Sequence, residues 1–118
     1  MKTILIVEDM DMNLDLLVQL LEEEYVLLIA RDGSEAVQMA LNNQPDLILM
    51  DIGLPILDGY EATKQIHKQK PGLPVIGLSA HAMQGDAEKA LQYGFTDYLT
   101  KPLDESLLAT KLREYLGE

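Results

Sequence analysis

Short apolar runs alternate along this chain with longer stretches in which apolar residues recur at helical spacing. The runs hold few polar residues and cover positions 3–7, 25–30, 47–50, 74–78 and 98–100. Such runs are typical of strands buried on both faces, as in a parallel sheet. Each is followed by a helical pattern, the last of which places Leu108, Leu112 and Tyr115 on one face. Five strands that alternate with five helices predict an α/β fold with a doubly wound parallel sheet.

Turn and cap residues separate these segments. Asp32 precedes the second helical pattern and Asp104 precedes the fifth, where each can cap a helix N-terminus. Pro71 and Gly72 end the third helix, and Gly94 is placed to cap the C-terminus of the fourth. The sequence shows no linker and no internal repeat, so we expect residues 1–118 to form one domain.

The composition limits the compartment and the chemistry. The chain has no cysteine, so a disulfide framework and a thiolate metal site are both impossible. The first apolar run has only four residues before Glu8 and Asp9, whereas a signal peptide needs about 7–15. No stretch approaches the roughly 18 apolar residues that span a membrane. We therefore expect a cytoplasmic protein with no membrane partner.

The net charge of −11 is unevenly distributed. Residues 1–60 hold twelve acidic and two basic residues, a charge of −10, whereas residues 61–118 hold eight and seven, a charge of −1. An acidic chain repels the phosphate backbone, so we expect no direct binding of nucleic acid. The acidic run at residues 22–24 is interpreted as a solvated, solubilising face.

Polar side chains follow four of the five predicted strands. Glu8 and Asp9 follow the first strand, Asp51 the third, Ser79 the fourth and Lys101 the fifth. In an open α/β sheet, ligands bind beyond the carboxyl ends of the strands. Each residue alone is typical of a solvated loop, but packing does not require five polar groups at one edge. The set therefore predicts a binding site.

The residue types at this edge indicate phosphoryl chemistry. Three carboxylates close together repel one another unless a cation neutralises them, and an all-oxygen ligand set suits Mg²⁺ or Mn²⁺. Lys101 can pair with Asp51 or with a phosphoryl oxygen, and Ser79 supplies a hydroxyl donor. Phosphoryl transfer to a carboxylate requires such a nucleophile, a metal ion and donors around the equatorial oxygens.

Five stretches of the sequence carry a resemblance to a known family. They are residues 4–9, 46–51, 54–55 with 58–59, 78–83 and 97–102. In this order, the chain resembles the receiver domain of two-component response regulators over essentially its whole length. It is most similar to single-domain receivers of the chemotaxis-regulator kind and to receivers of hybrid sensor kinases. The resemblance implies a flavodoxin-like (βα)5 fold with strand order 2-1-3-4-5, and a single receiver domain with no output domain.

The resemblance also implies a role for each site residue. Asp51 would be the phospho-acceptor, and Mg²⁺ would be bound directly by Asp9, Asp51 and the backbone carbonyl of Gly53. Glu8 would reach the metal largely through a bound water molecule. The phosphoryl oxygens would be held by Ser79 and Lys101.

Further roles concern switching and the lifetime of the phosphoryl group. Tyr98 would be the switch aromatic that moves together with Ser79, although an ordinary surface tyrosine is the alternative. The peptide bond before Pro102 would be cis. Gly53 and His81, near the mouth of the site, would tune dephosphorylation by controlling the access of water.

The sequence departs from the family pattern at three positions. Leu54 stands where methionine is common, and Ser79 where threonine is frequent, and both substitutions keep the chemistry. Glu24 stands where glycine is often found before Tyr25. Because glutamate does not adopt a left-handed cap readily, the sequence leaves open how the first helix ends.

These residues predict a single-domain response regulator that is not an enzyme acting on another substrate. It would accept a phosphoryl group from a phosphohistidine of a histidine kinase or phosphotransfer protein. It would then bind a target protein through the face formed by helix 4, strand 5 and helix 5. A phosphate shuttle in a phosphorelay and a phosphorylation-independent adaptor are the alternatives. A phosphatase of the haloacid-dehalogenase type would need a second aspartate where this chain has Gly53.

Overall fold

Five parallel strands form one sheet in the order β2-β1-β3-β4-β5. The computed structural model describes residues 1–54, 56–79 and 86–117. Within these residues the strands are β1 (Thr3–Val7), β2 (Val26–Ala30), β3 (Leu47–Asp51), β4 (Val75–Ser79) and β5 (Asp97–Thr100). The helices that alternate with them are α1 (Asp11–Leu21), α2 (Gly33–Asn42), α3 (Gly59–Gln69), α4 (Asp86–Gln92) and α5 (Glu105–Leu116). The predicted fold class and strand order are confirmed.

Both faces of the sheet are buried, which explains the nearly uninterrupted apolar strands. On one face, Ile4 and Ile6 of β1 pack with the apolar sides of α1 and α5. On the other face, Leu5 and Val7 pack with small residues of α2 and with α3. Successive residues of a strand point to opposite faces, so each strand must be apolar at every position to serve both cores.

Strand boundaries differ from the sequence prediction by one residue, for identifiable reasons. The second strand begins at Val26 and not at Tyr25, because the N–H of Tyr25 donates to the carbonyl of Leu21 and completes the last turn of α1. The fourth strand begins at Val75, since Pro74 has no N–H to donate to a ladder. The third strand continues to Asp51, which pairs with Leu78 of β4.

Side-chain caps form at the two predicted positions, Asp32 and Asp104, and also at Asp58, which the sequence analysis had not assigned as a cap. Asp32, Asp58 and Asp104 each accept a hydrogen bond from the backbone N–H three residues further on. Gly94 adopts a φ of 96° after α4, the left-handed conformation expected of a C-terminal glycine cap.

Helix α1 ends without a left-handed residue, which answers the question raised by Glu24. The backbone of its cap residue Glu22 has the right-handed helical conformation. The N–H groups of Glu24 and Tyr25 both donate to the carbonyl of Leu21. A tight turn therefore replaces the glycine cap. Ile56 is the only non-glycine residue with a positive φ among the residues described.

Two basic side chains of the α3 region have structural partners. Lys70 donates to the carbonyls of Ala40 (2.6 Å) and Asn43 (2.9 Å) at the C-terminal end of α2. Those carbonyls have no partner inside the helix, so Lys70 acts as its cap. The second side chain is that of His67, in the last turn of α3. Its ring is half-buried, and its Nε2 lies 2.8 Å from the carbonyl oxygen of Leu73.

No helix in the described parts of the chain has the length and apolar character that crossing a bilayer demands.

We predict that Lys70→Met destabilises the fold by about 1–2 kcal/mol, because two carbonyls lose a charged donor at the C-terminal end of a helix. Lys68→Met is the matched control, since Lys68 is exposed on α3. The free energy of unfolding in urea measures both. Equal stability of the two variants would contradict the capping role of Lys70.

Candidate functional site

The carboxyl ends of β1, β3, β4 and β5 enclose a cavity of about 320 Å³. The strand register explains why they meet, because Val7 pairs with Met50, Asp51 with Leu78, and Ser79 with Thr100. Residues that follow these pairs therefore lie at one edge of the sheet. The cavity is lined by Asp9, Met10, Asn13, Asp51, Ile52, Gly53, Ser79 and Lys101.

Three carboxylates form the acidic part of this site. One oxygen from each of Glu8, Asp9 and Asp51 lies within 4.8 Å of the other two. Glu8 is completely buried, Asp51 is 8% exposed, and Asp9 is half-buried. The backbone N–H of Gly53 donates to Oδ1 of Asp51 at 3.2 Å, and the N–H of Asp9 donates to Oε2 of Glu8 at 3.2 Å. These bonds orient the two buried carboxylates.

Lys101 reaches into the acidic cluster from the end of β5. Its Nζ lies 2.8 Å from Oε1 of Glu8 and 3.7 Å from Oδ2 of Asp51. The closer partner is therefore Glu8, whereas the sequence prediction had considered only Asp51 and a phosphoryl oxygen. The peptide bond between Lys101 and Pro102 is cis.

Burial and neighbouring groups shift the pKa values of the two buried acids, Asp51 and Glu8, in opposite directions. Burial, together with the hydrogen bond and the charge of the neighbouring Glu8, raises the pKa of Asp51 to about 7. Lys101 and the N–H of Gly53 act in the opposite direction but do not offset this. Burial also acts to raise the pKa of Glu8, but its hydrogen bonds with Asp51 and Lys101 outweigh this and hold its pKa below the ordinary value. The Asp51 carboxyl therefore ionises near neutral pH, well above the ordinary range of an aspartate.

The chemistry of the donor set fits a hard divalent cation. Above pH 7 the three carboxylates carry three negative charges against the one positive charge of Lys101, so a further cation would relieve the repulsion. Oxygen ligands of this kind suit Mg²⁺ or Mn²⁺, which bind proteins through one or two carboxylates and retain several water molecules. Asp9, Asp51 and Gly53 line the cavity where such an ion would be held.

The remaining predicted residues occupy different positions. Ser79 is buried at the end of β4 and lines the cavity, and its carbonyl accepts a hydrogen bond from the N–H of Lys101 at 2.7 Å. Tyr98 is half-buried on β5, packs against the core that holds α2 and α3, and is not among the lining residues. His81 lies outside the described residues.

Three residues that line the cavity were not predicted as site residues: Asn13, Met10 and Ile52. Met10 precedes α1 and is exposed, whereas Asn13 lies in its first turn and is half-buried. Asn13 follows Asp9 by only four residues, and this closeness along the chain was the available signal. The signal was weak because an asparagine near a helix N-terminus usually serves as a local cap.

The face formed by β5 and α5 carries its own polar network. Oδ2 of Asp97 accepts hydrogen bonds from Tyr115 Oη at 2.7 Å and from Lys111 Nζ at 2.8 Å. Burial opposes the ionisation of Asp97, but these two donors hold the pKa of its carboxyl below the ordinary value. Leu91 of α4 and Leu107 of α5 are exposed. Both belong to the elements that the sequence prediction assigned to target binding.

The fold and the site together define a doubly wound α/β domain with an acidic pocket at the carboxyl edge of its sheet. Residues 4–113 match the response regulator receiver domain family. The chain belongs to this family, whose members act in two-component signalling. Receiver domains bind Mg²⁺ in their active site and are phosphorylated by histidine kinases or phosphotransfer proteins.

Relatives of known identity match over almost the whole chain. The polar-differentiation response regulator DivK of Brucella ovis is 38% identical, and the match covers 99% of this chain and 98% of that protein. The receiver domain of the sensor histidine kinase PA1611 from Pseudomonas aeruginosa, solved with a coordinated magnesium ion, is 40% identical with a TM-score of 0.92. That match covers 99% of this chain and 98% of the other.

A third similar protein is a solved receiver domain. The CheY-like receiver domain protein of Methanospirillum hungatei is 34% identical, with a TM-score of 0.92. The match covers 99% of this chain and 94% of that structure.

We predict that Asp51→Asn stabilises the metal-free protein by about 2 kcal/mol at pH 8 and by much less at pH 5. The magnitude follows because each unit of pKa shift corresponds to about 1.4 kcal/mol before solvent screening reduces it. The pKa of Asp51 is raised in the folded state, so its contribution to stability is complete at low pH and is lost as the pH rises through about 7. Urea unfolding in the presence of a chelator measures the difference.

The matched control for this prediction is Asp15→Asn, because Asp15 is an exposed acid on α1. It should leave the difference between pH 5 and pH 8 unchanged. A pH-independent effect of Asp51→Asn would show that the carboxylate is not strained by burial.

Proposed function

We propose that this chain is a response regulator that accepts a phosphoryl group on Asp51 in a reaction that requires Mg²⁺ or Mn²⁺. The observation that carries the proposal is the position of Asp51. Its buried carboxylate shares one cavity with Asp9, Ser79 and Lys101. The group remains on the chain itself, so the protein is a signalling acceptor and not an enzyme acting on another substrate.

The chemical step joins Asp51 to the phosphorus atom of a phosphohistidine on a histidine kinase or phosphotransfer protein. A carboxylate oxygen of Asp51 forms the new bond to phosphorus as the phosphorus–nitrogen bond breaks. The electron pair of the broken bond stays on the imidazole, which takes a proton from solvent. The product is an acyl phosphate. Because Asp51 must be ionised to attack, its proton has to leave before the reaction.

The other residues of the cavity bind charge or orient groups. Asp9 and Asp51, with the Gly53 carbonyl, would hold the metal ion directly, and Glu8 would do so through water. When bound, Mg²⁺ supplies positive charge that offsets the carboxylates and the transferred group. Lys101 pairs with one phosphoryl oxygen, and the Ser79 hydroxyl donates to another.

The phosphorylated form then signals by a change in shape. Ser79 moves towards the phosphoryl oxygens, and Tyr98 turns into the space that it leaves, which alters the face of α4, β5 and α5. That face would bind the downstream target. A complete shift from 1:99 to 99:1 needs roughly 5.5 kcal/mol, so a few charge-assisted hydrogen bonds support a partial shift.

A phosphorelay shuttle is the second candidate, because one similar structure is the receiver domain of a sensor histidine kinase. In that role the acyl phosphate would pass its phosphoryl group to a second histidine-bearing protein. The intact cavity, with its acids and Lys101, argues against a phosphorylation-independent adaptor.

We predict that acetyl [³²P]phosphate labels the parent protein in the presence of Mg²⁺ and that Asp51→Asn lowers the labelling rate by at least about tenfold, because the nucleophile is lost. Chelation of the metal should have a comparable effect. Asp15→Asn is the control and should label at the parent rate. Equal labelling of Asp51→Asn, or labelling that ignores the chelator, would refute the proposal.

A further prediction concerns the lifetime of the phosphoryl group. Gly53→Leu should lengthen it by about threefold, since an apolar side chain beside Asp51 excludes the attacking water. A Cβ at Gly53 meets nothing within 4 Å, so the variant should fold. Gly72→Leu is the matched control, because a Cβ there is equally unobstructed. His81→Ala is measured alongside. Unchanged loss of label in both Gly53→Leu and His81→Ala would end the water-access hypothesis.

A further inference from the structure

The ion pair of Glu8 and Lys101 lies between two cavities. One is the acidic cavity already described. The other, of about 140 Å³, has apolar walls formed by Leu16, Leu17, Pro102 and Leu103, with Glu8, Lys101 and Asn13 as its polar lining. Lys101 and Asn13 line both cavities. Asn13 is therefore placed beside the ion pair and has no role in the mechanism described above.

The geometry gives Lys101 two competing tasks. At rest its Nζ contacts Glu8 at 2.8 Å and is 0.9 Å further from Asp51, at 3.7 Å. To pair with a phosphoryl group on Asp51, it must loosen its contact with Glu8. Glu8 is completely buried, and the loss of the partner of a buried carboxylate strongly destabilises a protein. The N–H of Asp9 donates to Oε2 of Glu8, so it is Oε1 that needs another donor when Lys101 turns away.

Asn13 can supply that donor. It lies in the first turn of α1 and lines the same apolar-walled cavity as Glu8 and Lys101, and its hydrogen bonding contributes to the lowered pKa of Glu8. Its Nδ2 donates to the sulfur of Met10 at 3.7 Å, and a thioether sulfur is a weak acceptor. The Asn13 amide is neutral, so a phosphoryl group attracts it less strongly than it attracts the charged Lys101. Asn13 can therefore stay with Glu8 when Lys101 moves.

We infer that Asn13 is a positioning residue, whose side-chain N–H holds the Glu8 carboxylate as Lys101 moves from Glu8 to the phosphoryl group on Asp51. The inference rests on the proposed function, because only a phosphoryl group on Asp51 gives Lys101 a reason to move. Asn13 itself touches neither the phosphorus atom nor the leaving group. It lowers the cost of releasing Lys101.

The test is a double-mutant cycle between Asn13 and Glu8. Asn13→Ala should slow labelling by acetyl [³²P]phosphate at saturating Mg²⁺ by about tenfold, since a hydrogen bond to a charged group is lost. In the Glu8→Gln background the same substitution should change the rate by less than about twofold, because a neutral amide at position 8 does not need the donor. Asn42→Ala, an exposed asparagine on α2, is the matched control and should label at the parent rate.

The same cycle has a readout that does not depend on labelling. In chelator, the effects of Asn13→Ala and Glu8→Gln on the urea midpoint should be non-additive, because both remove one interaction. This measurement also shows that each variant is folded, and it decides the question if Glu8→Gln labels too slowly to follow.

Two results would overturn the inference. One is an Asn13→Ala variant that labels at the parent rate. The other is an equal effect of Asn13→Ala in both backgrounds together with additive urea midpoints, which would mean that Asn13 acts only through general stability. Failure of the proposed function itself would look different, because the parent protein would then show no labelling that depends on Asp51.

Discussion

The buried ion pair between Glu8 and Lys101 is the interaction on which the site depends. It joins residues 93 positions apart and connects the end of the first strand to the end of the fifth. A completely buried carboxylate is tolerated only when it is paired and hydrogen-bonded, and Glu8 meets both conditions through Lys101 and the N–H of Asp9. The pair therefore requires the whole sheet to be assembled before the cavity exists.

The same pair sets the chemistry of Asp51. Burial raises the pKa of Asp51, and the neighbouring Glu8 carboxylate, which Lys101 contacts more closely than it contacts Asp51, raises it as well. In the proposed function, a bound cation would offset the charge of the cluster and favour the ionised, nucleophilic form of Asp51. A lysine shared between two acids also gives the site two arrangements, which is the kind of bistable element that a switch needs.

The strand-end acids could be predicted from the sequence because position at a strand end and residue type were both visible. The fold could be predicted because the apolar runs and the helical patterns between them are also visible in the sequence. The choice of Glu8 as the partner of Lys101, the capping of α2 by Lys70 and the place of Asn13 could not be predicted. Each depends on which of several reachable partners a side chain contacts, and that choice is made by tertiary packing.

The most direct measurement of the central claim is a crystal structure of the protein with Mg²⁺ and the phosphoryl mimic trifluoroberyllate. The account predicts an ion bound by Asp9 and Asp51 oxygens at about 2.1 Å, with Lys101 Nζ contacting the fluorides on Asp51 and drawn away from Glu8. A cation bound elsewhere, or a Lys101 that keeps its contact with Glu8 while the mimic is bound to Asp51, would contradict it.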